Sequence, residues 1–145
     1  MSRLEATYPV LAEKFGRASL AQRQALMYAA CELAVKQAGL DRPEIDAALA
    51  MVRQRSSASA DVVAAVGTLV EQFDEQYFAL QEEADEGRAS VDDYLVPFSQ
   101  ARAASAVLYA IKDDSLDANM EAIYEAMATT DAPERMMSVL VSMLA

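Results

Sequence analysis

Histidine and tryptophan are absent from this chain, cysteine occurs once, and glycine and proline occur four times each. The absence of histidine removes Ser-His-Asp and Cys-His pairings, most zinc sites and the Glu-x-x-His di-iron arrangement in one step. A lone Cys31 leaves no partner for an intramolecular disulfide and speaks against an oxidising compartment. Four scattered glycines supply no phosphate-cradling loop. Scarce Gly and Pro beside 54% hydrophobic residues, with Ala and Met abundant, is the composition of packed helices rather than of a β-sandwich.

Long apolar runs are missing too. The N-terminus, Met-Ser-Arg-Leu-Glu-Ala-Thr-Tyr-Pro, lacks the apolar core of a signal peptide. The Met136 to Ala145 stretch has about half the length a bilayer span requires. A cytoplasmic protein without membrane association is expected. The 145 residues read as one domain, 1–145, and area scaling lets about two-thirds of the surface of such a chain be buried.

Positive charge is scarce in one half only. Residues 1–70 hold eight Lys/Arg against seven Asp/Glu, whereas residues 71–145 hold four against sixteen. The balances, +1 and −12, make up the net charge of −11. Such asymmetry repels nucleic acid and anionic membrane and attracts a partner with a basic surface.

What is present is helical periodicity. The spacing predicts a first helix over about 4–15, with Leu4, Val10, Leu11 and Phe15 inward and Pro9 tolerated only in a first turn. Ser19 with Gln22 makes a capping box and Gly39 a C-terminal stop. Between them Leu20, Met27, Ala30, Cys31, Ala34 and Ala38 share a face, and Leu26 and Leu33 form a second. Asp41, Pro43 and Glu44 start a helix to about Gln54. Arg55 to Ala60 is a short polar linker, and Ser59 caps a long helix that stops near Gly87.

Ser90 with Asp93 starts the next helix, which Pro97 either kinks or delays to about residue 98. Ala101, Ala103, Ala104, Ala106 and Ala110 then allow a neighbouring backbone to approach closely. Ser115 caps a helix carrying Leu116, Met120, Ile123, Tyr124 and Met127. Asp131, Pro133 and Glu134 start the last one. An all-α, single-domain bundle of six or seven helices follows.

Chemistry is thin. Cys31 sits on a core-facing position among Ala and Leu, as a buried thiol does. Asp113-Asp114-Ser-Leu-Asp117 looks like part of a calcium loop but lacks the glycine and the closing glutamate. No metal, cofactor or catalytic activity is expected; an enzyme using paired carboxylates would need a cleft holding two of them.

The informative stretch is Ser59 to Asp93. On a helical wheel Glu71, Asp74, Glu75, Glu82, Asp85 and Glu86 fall within an arc of roughly 120°, opposite Val62, Val66, Leu69, Phe73, Tyr77, Leu80 and Ala84. Glu71–Glu75 and Glu82–Glu86 are like-charge i,i+4 pairs, each unfavourable by roughly 0.2–0.5 kcal/mol. The later acids also oppose the helix macrodipole. Asp92 and Asp93 extend the patch past the turn. Phe78 lies inside the acidic arc, an aromatic ringed by charge in the manner of an interface anchor.

Tyr28-Ala-Ala-Cys-Glu-Leu-Ala34, Ala101-Arg-Ala-Ala-Ser-Ala-Val-Leu-Tyr-Ala110 and Glu121-Ala-Ile-Tyr-Glu-Ala126 resemble the helices of alanine-rich, all-helical immunity proteins of bacterial toxin–immunity systems. The resemblance covers about half the chain and is one of texture, without an invariant motif. It implies a cytoplasmic inhibitor that binds a cognate toxin, often through an acidic surface. Glu71, Asp74, Glu75, Phe78, Glu82, Asp85 and Glu86, with Asp92 and Asp93 at the edge, are the expected toxin-binding residues. The competing expectation is a helical adaptor or homodimer that uses its eight methionines, Met136-Met137 among them, as an adaptable apolar surface.

Overall fold

The computed structural model describes residues 1–54 and 58–145. Among them are eight α-helices and no strand: α1 (Arg3–Thr7), α2 (Pro9–Arg17), α3 (Leu20–Ala38), α4 (Pro43–Gln54), α5 (Ala60–Asp85), α6 (Val91–Lys112), α7 (Leu116–Met127) and α8 (Glu134–Ser142). The count exceeds seven because the expected first helix is two. Ser2 and Glu5 form a capping box around α1, and Pro9 stands at the start of α2. A proline has no N–H to donate back across Tyr8, so the chain restarts there. The restart turns Val10 outward, contrary to expectation, while Leu4, Leu11 and Phe15 are buried.

The expected helix ends are built as the local chemistry requires. Ser19 and Gln22 cap each other's backbone N–H groups at 3.1 and 3.0 Å, and Gly39 closes α3 with φ of 63°. Ser59 accepts the Val62 N–H at 3.3 Å, and Ser115 accepts that of Ala118 at 3.1 Å. Within the expected Arg55 to Ala60 linker, residues 55–57 lie outside those described. At the end of α5 the Arg88 N–H reaches the Glu83 carbonyl at 2.8 Å and the Gly87 N–H that of Ala84 at 3.0 Å. That Schellman pair needs a left-handed residue, and Gly87 supplies it at φ 78°. Asp93 accepts the Ser90 N–H at 2.9 Å, and α6 then runs unbroken through Pro97 from residue 91.

α6 is the axis of the bundle, packing on α3, α4, α5 and α7. From Ala101 to Val107 every residue but Arg102 is buried, and the alanines there let α3 and α7 lie close on either side. Ala30, Ala34, Ala122 and Ala126 are the matching small residues of those neighbours, all buried. Cys31 is packed against the Ala106 carbonyl at 3.8 Å, and burial pushes its thiol pKa up to about 12.

Two expected core residues lie at the surface. Leu20 and Leu116 open α3 and α7 at the end of the bundle where no further helix covers them. They rim a cavity of about 300 Å³ floored by Met27, Val52 and Ile111.

Candidate functional site

The site predicted from sequence lies on the antiparallel hairpin of α5 and α6. Asp74 pairs with Arg102, and Tyr77 meets both Phe98 and Tyr94, which fixes the register of the two helices. The wheel holds. Val66, Leu69 and Phe73 are buried and Val62, Tyr77, Leu80 and Ala84 half-buried, whereas Glu71, Glu75, Glu82, Asp85 and Glu86 are exposed. Phe78 is 61% exposed. Its ring leans on Tyr77 at a centroid distance of 5.1 Å, so it is supported from one side while most of its surface faces water.

Not every acid of the arc is free. Asp74 is half-buried and accepts from Arg102 Nη2 at 3.1 Å. Glu86 pairs with Arg88, and the Asp93 carboxylate is occupied as the cap of Ser90. Glu71, Glu75, Glu82, Asp85 and Asp92 are exposed and make no ion pair among the described residues. The face is therefore a set of free carboxylates around Phe78, with Asp74 as its buttress.

Behind that buttress lies an ion network. Arg102 Nη1 donates to both oxygens of Glu125, at 2.9 and 3.1 Å, while Nη2 holds Asp74. Arg3 reaches the same Glu125 at 2.9 Å and also pairs with Glu121, which raises the guanidinium above its ordinary pKa. The Arg3 guanidinium also lies 4.4 Å from the Tyr124 ring centroid. The Glu125 side chain is only 4% exposed. A carboxylate that buried is tolerable because two guanidinium groups meet it. α1, α5, α6 and α7 are thereby tied together, and the acidic helix is held in one orientation. Arg102 Nε is buried and has no hydrogen-bond partner among the described residues.

Sequence reasoning missed the other half of the surface. Val91, Leu95 and Val96 are 55%, 46% and 58% exposed. The Ser99 hydroxyl donates to the Thr129 carbonyl at 2.8 Å, which marks where the end of α7 meets α6. α3 also ends at this level, with Ala38 lining the same cavity as Phe98 and Ser99. Leu95, Val96 and Phe98 stand at the level where α3 and α7 end, and the start of α6 before them lies alongside α5, as the Tyr77–Tyr94 ring contact marks. The available signal was Tyr94 to Phe98, an uncharged run whose apolar side chains point to every side of the wheel, a pattern that normally demands burial.

Among the described residues no three His, Cys, Asp or Glu side chains gather as metal ligands, and no helix is long and apolar enough to cross a membrane. Asp113 is engaged by Ser115, accepting its N–H at 3.0 Å and its hydroxyl at 3.1 Å. No family model matches the chain, and no curated protein or solved structure matches it either.

Proposed function

We propose that this protein is an immunity-type inhibitor that binds and neutralises a bacterial toxin domain without catalysis. The observation that carries the reading is an exposed aromatic, Phe78, surrounded by exposed, unpaired carboxylates on a helix held rigidly by the Asp74–Arg102–Glu125 network. A basic cleft built for nucleic acid presents the complementary surface, and charge of opposite sign speeds its capture. A rigid anchor ringed by charge loses little conformational freedom on binding. The immunity-protein texture of the alanine-rich helices supports the same reading, and the neutraliser would act in the cytoplasm, where a delivered toxin works.

The test is charge reversal at Glu75, Glu82 and Glu86, leaving Phe78 and the ion network intact. The triple lysine variant should keep a helical circular dichroism spectrum and lose protection of cells against a toxin domain that the unmodified protein neutralises. Undiminished protection would remove this surface from the mechanism.

The second reading is a helical adaptor or homodimer, and the exposed Val91, Leu95 and Val96 favour it. A second copy would bring another eleven negative charges against the first, so a basic partner is the better complement.

A further inference from the structure

The uncovered end of α6 borders a cavity of about 360 Å³. Its walls come from three places that are far apart in sequence: Ala38 at the end of α3, Leu95, Val96 and Phe98 on α6, and Ala128 and Asp131 after α7. Leu95 and Val96 stand about half exposed on its rim. The rim is also acidic, with Asp131 in the lining and Asp92 exposed on the same end of α6. Contiguous apolar surface of this kind, edged by one sign of charge, is the mark of a binding groove.

We propose that this groove docks a cationic amphipathic segment of a partner protein, its apolar side chains against Leu95, Val96 and Phe98 and its Lys or Arg side chains toward the acids. The proposal rests on the inhibitor reading only in taking the partner to be basic, and it extends that interface from α5 around to α6. Charge selects the occupant. Residues 71–145 carry a balance of −12, which attracts a basic segment and repels a second copy, an anionic lipid surface and nucleic acid. Apolar contact selects the place, since the free carboxylates of α5 lie around Phe78 and the cavity does not.

The experiment uses a fluorescein-labelled peptide of about 18 residues with Leu and Lys at amphipathic helical spacing, and a second peptide with Ser in place of each Leu. The full-length protein should bind the Leu/Lys peptide, more weakly as salt is raised, and should bind the Ser/Lys peptide far less tightly. Leu95→Glu with Val96→Glu adds two negative charges, so attraction by charge alone would tighten binding. Docking in the groove requires the opposite, a loss of about tenfold or more. Leu95→Ala, a milder change that leaves the charge alone, should weaken binding by a few-fold, and thermal melts followed by circular dichroism check that both variants are folded.

Equal or tighter binding by the double glutamate variant overturns the groove, as does no binding of the Leu/Lys peptide to the unmodified protein. A concentration-dependent dimer in light scattering that Leu95→Glu with Val96→Glu dissolves would assign the face to a second copy and also overturn it. The inhibitor reading fails separately. A Glu75, Glu82 and Glu86 lysine variant that still protects cells removes that reading, while the groove is judged by the peptide alone.

Discussion

Two stretches of α6, its opening turns and its middle, both carry apolar residues and have opposite fates. From Ala101 to Val107 small apolar side chains are buried by α3 and α7, and from Val91 to Val96 larger ones stand in water. Hydropathy does not separate them. What differs is the length of the neighbours: α7 has 12 residues and α3 has 19, whereas α5 has 26 and α6 has 22. The hairpin outruns the bundle, and an apolar residue is core or interface according to whether a neighbour extends far enough to cover it. Burial is concentrated in the covered stretch and exposed apolar surface in the other.

The sharpest way to break this contrast is at Arg102, where the two stretches join. Arg102→Met should cost about 2–4 kcal/mol, because Glu125 would keep only Arg3 and Asp74 would lose its partner. Urea unfolding would read this as a lower midpoint at unchanged slope. A cost under about 0.5 kcal/mol would mean that the network orients α5 without stabilising it.

Packing gives the next largest effect. Ala104→Leu should destabilise by about 1–3 kcal/mol, since three further methylene-sized groups have no room between α6 and its neighbours. Leu95→Ala, which removes a comparable volume at the exposed end, should stay within about 0.5 kcal/mol of the parent. Similar costs at the two sites, measured in the same thermal melts, would erase the proposed division of α6.

The smallest effect is of opposite sign. Lysine at Glu75 relieves the like-charge pair with Glu71. Lysine at Glu82 and Glu86 improves the fit to the helix dipole, partly offset because those two remain a like-charge pair and Glu86 gives up Arg88. Stability of the free protein should rise by a few tenths of a kcal/mol in all, chiefly from Glu75. A fall in the unfolding midpoint would show that the acids serve the fold, and the case for a binding face would lose its physical basis.

Much of the local structure was legible in sequence because its causes are local. A serine oxygen three residues from a waiting N–H is a cap wherever it occurs, as at Ser19, Ser59 and Ser115. The split at Pro9 was missed, since one helix was expected over about 4–15, although the capping box of Ser2 with Glu5 was a local signal for it. Burial was read less well. Leu20 and Leu116 satisfied a helical stripe yet sit at a bundle end, because a stripe specifies direction around a helix and says nothing of how far the neighbour extends.

The candidate site divides in the same way. Sequence alone determined that Phe78 shares an arc with the acids of α5, since 100° per residue is a property of any α-helix, and it determined the charge imbalance on which the proposal of a basic partner rests. Only the tertiary structure decided that Phe78 is exposed, that Asp74 belongs to Arg102, and that Glu125 lies buried between Arg3 and Arg102. Those contacts join residues up to 122 positions apart, and the ion pairs and coverage they create depend on which helices meet and where each one ends.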